Sequence, residues 1–128
     1  MTITNRKILI IEDDASLQAI YKEMLTDEGF EVVGTTTGQA GLDLAKREKP
    51  NLIILDIMLP FGKMNGFDVL ETLKRDAQMK TIPILVLTNL DSEEKTAREI
   101  GVADYLVKAN NPIGKVIEKV KKYFPDSW

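Results

Sequence analysis

The sequence contains no cysteine and no histidine. Their absence excludes disulfides, zinc and iron–sulfur sites, thiol nucleophiles, and any triad or phosphohistidine that needs an imidazole. Chemistry in this chain must therefore run on oxygen and lysine. No apolar run approaches the roughly 18 residues of a membrane helix, and Met1 to Lys7 lacks the apolar core of a signal peptide. The expectation is a cytoplasmic chain with no membrane partner. A strong basic excess is also missing: 17 Lys plus Arg stand against 20 Asp plus Glu, a formal net charge of −3, which argues against direct nucleic-acid binding. The one basic stretch, Lys115, Lys119, Lys121 and Lys122, reads as a solvated helix face.

What is present is ordinary globular material, 128 residues with 44% hydrophobic and 29% charged side chains. That is one domain, and a chain of this size buries roughly two thirds of its unfolded surface. Five short apolar runs recur along it: Ile8 to Ile11, Val32 and Val33, Leu52 to Leu55, Ile84 to Leu87, and Tyr105 to Val107. All but the second are continuous rather than alternating, as in parallel strands covered by helices on both faces.

The intervening segments carry helical spacing. Leu17, Ile20, Tyr21, Met24 and Leu25 form one stripe, with Ser16 near its start and Gly29 suited to a left-handed stop. Ala40, Leu44 and Ala45 give a weaker helix before Pro50, diluted by Gly38 and Gly41. Phe67, Leu70, Leu73 and Ala77 give a third, and Asp91-Ser92-Glu93-Glu94 reads as a capping box opening a short fourth that Gly101 closes. Ile113, Val116, Ile117 and Val120 form the fifth, with Pro112 in its first turn. Strand and helix alternating five times predict an α/β doubly wound parallel sheet with helices on both faces.

The residues that follow the apolar runs carry the chemistry: Glu12-Asp13-Asp14, then Asp56, Thr88 and Lys108. In a parallel sheet all C-terminal strand ends share one edge, where the ligands of open α/β sheets bind. Singly, each residue could be a helix cap, a loop acid, a turn former or a surface cation. Together they place carboxylates side by side, and two of these about 5 Å apart repel by about 3 kcal/mol at an effective dielectric of 20. A cation should compensate. A site of oxygen donors alone suits Mg²⁺, which takes one or two carboxylates plus waters and a phosphate, and Lys108 adds a further point charge.

The stretches Ile8 to Asp14, Leu52 to Pro60, Leu87-Thr88 and Asp104 to Lys108 resemble the receiver domain of bacterial two-component response regulators over essentially the whole chain. The resemblance implies a flavodoxin-like sheet of order 2-1-3-4-5. It also implies a single receiver domain over residues 1–128 (core about 6–124) without an effector domain. By the same resemblance, Asp56 would take a phosphoryl group from a phosphohistidine of a sensor histidine kinase or a histidine phosphotransfer protein. Asp13, Asp56 and the backbone carbonyl of Met58 would ligate Mg²⁺, and Glu12 would hold it through water. Asp14 would sit at the mouth of helix one. Thr88 and Lys108 would bind phosphoryl oxygens, and Tyr105 matches the aromatic whose rotamer reports the switch. Such a chain is a signalling domain rather than an enzyme, with at most Mg²⁺-dependent self-phosphorylation and autodephosphorylation, and its output goes to a downstream protein.

The chain departs from the family pattern in four places. The Pro60 to Gly66 loop is about two residues longer than usual, and the stretch from Thr88 to Lys108 about two shorter. Asn89 stands where a small residue is usual, and Ala109 replaces the usual proline after Lys108, so a trans Lys108–Ala109 bond is expected. The competing readings are a degenerate receiver acting as a constitutive interaction module, an aspartate-nucleophile phosphatase and an FMN binder. All five pocket residues speak against the first. Met58 stands where the phosphatase needs a second acid, and the carboxylates after strand one would repel the flavin phosphate.

Overall fold

Side chains along a strand alternate between the two faces of a sheet, and here each set meets its own layer of helices. The computed structural model describes residues 6–59 and 64–125. The elements run β1 (Lys7–Ile11), α1 (Ala15–Asp27), β2 (Glu31–Thr35), α2 (Gly38–Glu48), β3 (Leu52–Leu55), α3 (Gly66–Arg75), β4 (Ile84–Thr88), α4 (Glu94–Ile100), β5 (Asp104–Val107) and α5 (Ile113–Lys121). The strands pair in parallel in the order β2-β1-β3-β4-β5, with Leu9 opposite both Val33 and Ile53 and Leu55 opposite Val86. Leu9, Ile11, Ile53, Leu55, Ile84 and Val86 pack in one core with Leu42, Val69, Leu70 and Ala97. Their neighbours Ile8, Ile10, Leu52, Ile54, Leu85 and Leu87 pack in the other with Tyr21, Leu25, Val116, Ile117 and Val120. Burial on both faces explains why these strands read as unbroken apolar runs. Edge strand β2 begins with exposed Glu31 and leaves Val33 half-buried, hence its shorter run.

The helix starts differ in detail from the sequence expectations. Helix α1 is capped by Asp14, whose Oδ1 accepts from Leu17 N at 3.0 Å, and Ser16 lies exposed in the first turn. A cap needs extended backbone and an oxygen within reach of the N–H three residues on; Asp14, at φ −79° and ψ 101°, meets both conditions. The expected capping box at Asp91 is absent. Asp91–Glu93 form a 3-10 turn, and α4 begins at Glu94 with no side-chain cap. Among the described residues a capping box forms instead at Asn65 and Asp68, opening α3, which ends at Arg75 before reaching Ala77. Pro112 occupies the cap of α5 rather than its first turn. Gly29 and Gly101 take the positive φ values expected of helix stops, and Lys108–Ala109 is trans, since no described peptide is cis. Of the lengthened loop, Pro60 to Lys63 lie outside the described residues.

Two glycines that weaken helical propensity are required by close packing. A Cβ on Gly41 would stand 2.5 Å from Ile11 Cδ1, so an alanine there would force the buried Ile11 side chain to shift. At Gly66 the obstacle is backbone: an added Cβ would lie 2.1 Å from Ile57 Cα, while Gly66 N donates to Ile57 O at 3.2 Å. Backbone cannot rotate aside as a side chain can. Gly66→Ala should therefore destabilise the fold by about 3 kcal/mol, the upper end of typical overpacking costs. Urea unfolding checks this, and a variant within about 0.5 kcal/mol of wild type would contradict the packing described.

Candidate phosphoacceptor site at the C-terminal edge of the sheet

The backbone ladder continues past the strand ends and holds the acids rigidly. Glu12 N donates to Thr35 O and Asp56 N to Ile11 O, both at 3.0 Å. Asp13 and Asp14 follow Glu12, Thr88 closes β4, and Lys108 opens a 3-10 turn directly after β5. Of the residues singled out in sequence, Glu12, Asp13, Asp14, Asp56, Met58 and Lys108 line a cavity of about 570 Å³ at this edge, with Asn89 among its other walls.

Glu12 and Asp56 are each 4% exposed. The Lys108 ammonium lies between them, donating to Glu12 Oε1 at 2.5 Å and to Asp56 Oδ2 at 2.6 Å. The remaining oxygens are also engaged: Met58 N donates to Asp56 Oδ1 at 2.8 Å, and Asp14 N to Glu12 Oε2 at 3.0 Å. A buried charge is tolerated only when paired and hydrogen-bonded, and each of these three groups is. Burial pushes the Glu12 carboxyl up to about 7, against the opposing hydrogen bonds from Lys108 and Asp14. Burial alone would lower the Lys108 ammonium, but its bonds to Asp56 and Glu12 outweigh that and leave it raised. One ammonium thus serves two carboxylates, and Asp13 beside them adds a third acid.

Carboxylate oxygens of Glu12, Asp13 and Asp56 all lie within 4.8 Å of one another. An all-oxygen set so close together has the chemistry of a hard divalent cation site.

Thr88 and Tyr105 stand behind the cavity wall rather than in it. Thr88 is fully buried, and its Oγ1 accepts from Leu90 N at 3.3 Å. Tyr105 is turned inward, 5% exposed, with its hydroxyl donating to Leu90 O. The two hydroxyls are therefore joined through one peptide residue, which links the β4 edge of the cavity to β5. Burial, reinforced by Glu93 and Glu94, lifts the Tyr105 phenol to about 12, so the hydroxyl remains a donor at neutral pH.

Two further participants carry no mark in the sequence. Gln18 Nε2 donates to Glu12 O at 3.2 Å and Thr35 O at 2.7 Å, tying α1 to the ends of β1 and β2. Leu90 acts through its backbone and also lines the cavity. A glutamine in the first turn of a helix and a loop leucine have nothing that would distinguish them from surface residues.

Residues 8–121 match the family described as "Response regulator receiver domain". A "Probable transcriptional regulator ycf27" from Porphyridium aerugineum is 36% identical over 124 residues, covering 91% of this chain and 50% of the relative. The chain spans about half the length of such curated relatives. The BeF3-activated N-terminal receiver domain of Klebsiella pneumoniae RstA superposes with a TM-score of 0.81 at 30% identity, covering 91% of this chain and 97% of that one. The Mn²⁺-bound form of response regulator Rcp1 superposes with a TM-score of 0.80 at 26% identity, covering 96% of each chain. The parallel 2-1-3-4-5 sheet, the acids at its edge and a family match over most of the sequence agree: this chain belongs to the receiver domains of two-component response regulators.

Proposed function

We propose that the chain is switched by phosphorylation of Asp56, with a phosphohistidine of a sensor histidine kinase or histidine phosphotransfer protein as donor. The observation that carries this reading is the placement of Asp56: it is buried at the end of a central strand, next to an acid pair, with Lys108 at 2.6 Å. A carboxylate oxygen of Asp56 attacks phosphorus, and the P–N bond to the donor imidazole breaks with its electron pair returning to nitrogen. Lys108 and Thr88 supply phosphoryl-oxygen contacts, since positioning and charge stabilisation are what phosphoryl transfer chiefly needs from a protein. For this, Lys108 must exchange its carboxylate partners for phosphoryl oxygens.

Glu12 (through water), Asp13, Asp56 and the Met58 carbonyl are the groups that would hold Mg²⁺, which offsets the charge accumulating on the phosphoryl oxygens. Its entry would also relieve Lys108 of neutralising Glu12 and Asp56 alone. The same machinery would support Mg²⁺-dependent self-phosphorylation from a small donor and autodephosphorylation. The proposed setting is cytoplasmic, with residues 6–124 as the receiver core. Incubation with Mg²⁺ and acetyl phosphate followed by intact mass tests the reading. One added phosphoryl group is expected, and none would refute it.

The output surface we assign to α4, β5 and α5, where a downstream protein reads the switch. Thr88 Oγ1 accepts from Leu90 N while its proton stays free to donate to a phosphoryl oxygen, and Leu90 O in turn holds Tyr105. A pull on Thr88 is thereby transmitted to β5 through two hydrogen bonds. Helix α4 is short and has no side-chain cap, so two packings of it can lie within a few kcal/mol. Beryllofluoride with Mg²⁺ should change amide exchange between Thr88 and Val107, and Thr88→Ala should weaken that response. Changes confined to Glu12–Asp14 and the Asp56–Gly66 segment would move the output face elsewhere.

A further inference from the structure

We infer that Gln18 is a positioning residue for the cation site: seated over Gly34, its carboxamide fixes the peptide that carries Asp13 and thereby sets how tightly Mg²⁺ is held. The inference rests on the reading of Glu12, Asp13 and Asp56 as a cation site and concerns what keeps those acids in place. Glu12 and Asp56 each have hydrogen bonds on both carboxylate oxygens. Asp13 differs from them. Its half-buried carboxylate shares the same cluster and lines the cavity, yet among the described residues no side-chain hydrogen bond or ion pair holds it. Its direction is therefore set by the backbone.

That backbone is clamped from α1. The Glu12 carbonyl belongs to the same planar peptide unit as the Asp13 nitrogen, and it accepts from Gln18 Nε2 at 3.2 Å. The second proton of the same amide goes to Thr35 O at 2.7 Å, which also accepts from Glu12 N at 3.0 Å. The ends of β1 and β2 are thus bridged twice, once by backbone and once by Gln18. Both amide protons are used on carbonyls, and turning the carboxamide over would set its oxygen against two carbonyl oxygens, so the side chain has one working orientation. Gly34 supplies the room. A glycine inside a strand weakens it and marks the close approach of another group. In β2 that group is Gln18, since a Cβ on Gly34 would lie 2.4 Å from Gln18 Oε1 and 2.8 Å from its Cδ. Groups that orient a metal's ligands without touching the ion typically change metal affinity ~10- to 100-fold when removed.

The test is the affinity of the folded protein for Mg²⁺, measured at equilibrium by displacement of Mn²⁺, whose free-ion EPR signal is followed. Gln18→Met keeps the length of the side chain and removes both donors, and it should weaken Mg²⁺ binding about tenfold or more. Gly34→Ala reaches the same bonds from the other side. The obstacle its Cβ meets is the flexible end of Gln18, so the fold tolerates it while the carboxamide is pushed off the carbonyls, and affinity should fall in the same direction. The double variant should bind no more weakly than the weaker single variant, since both act through the same two hydrogen bonds. Ile84→Val thins the core at the start of β4, the end of the sheet away from the cavity. It should lower stability and leave Mg²⁺ affinity within about twofold of wild type. Melting curves establish that each variant is folded, and if Gln18→Met is not, Gly34→Ala decides. Wild-type affinity in Gln18→Met overturns the inference, as does an equal loss in Ile84→Val, which would assign the effect to general loosening of the fold. A wild type that binds neither Mn²⁺ nor Mg²⁺ overturns the cation site and this inference with it, whereas binding insensitive to Gln18 and Gly34 overturns the positioning role alone.

Discussion

Asp56→Asn should reduce phosphate uptake to background while the fold survives. The carboxamide has the shape of the carboxylate, and its Oδ1 still accepts from Met58 N, the bond that seats the side chain at 2.8 Å. What disappears is the charge that makes the oxygen a nucleophile. The neighbouring acids do not replace it: Glu12 is pushed to about 7 by burial, and Asp13 lies on the β1 side of the cavity, away from the wall behind which Thr88 sits. Asp56 ends the central strand β3 and bonds Lys108 at 2.6 Å. Removing one of three clustered carboxylates should also raise the melting temperature of the metal-free protein, because like charges held together only in the folded state oppose folding. Intact mass after acetyl phosphate treatment, with tandem fragmentation to locate any label, checks the first expectation, and a melting curve checks the second. Labelling of the variant equal to wild type would displace the phosphoacceptor from Asp56.

Residues whose meaning lies in their own side chain are legible from the amino-acid order alone. β1, β3 and β4 read correctly because both their faces are buried, leaving apolar runs without alternation, and edge strand β5 keeps a short apolar run, Tyr105 to Val107, of which Tyr105 is buried. The edge acids and Lys108 are legible because each ends such a run, and parallel strands bring their ends to one edge. Where function passes through the backbone, the sequence carries no mark. Leu90 joins Thr88 to Tyr105 through its N–H and its carbonyl, and almost any residue could supply those groups. Local competition hides other features. Asp91, Ser92 and Glu93 have the composition of a capping box, yet they close a 3-10 turn instead, and the box that forms, Asn65 with Asp68, follows a loop with no strong periodicity. Gly41 lowers helical propensity in isolation, and only the approach of α2 to Ile11 shows why that weakness is kept.

Mg²⁺ should stabilise the unphosphorylated protein strongly, and more so above neutral pH than below it. The acids Glu12, Asp13 and Asp56 are brought within 4.8 Å only by folding, so a cation that binds them binds the folded state alone. At about 100 times its dissociation constant such a ligand contributes ~2.7 kcal/mol, which for a chain of this length corresponds to roughly 10 °C in melting temperature. The pH dependence follows from Glu12, whose carboxyl stands at about 7 in the folded protein against a usual 4.5. Between those values the folded state keeps a proton that the unfolded chain has released, so without metal, stability falls as pH rises from about 4.5 to about 7. Mg²⁺ favours the ionised carboxylate and offsets that loss. Melts in chelator should therefore show the metal-free protein less stable at pH 8 than at pH 5, with the Mg²⁺-dependent increase larger at pH 8. Asp13→Ala should bring the curves with and without Mg²⁺ together by removing a ligand. Wild-type curves that coincide with and without Mg²⁺ at pH 8 would refute the cation site, and a Mg²⁺ effect independent of pH would refute the part assigned to Glu12.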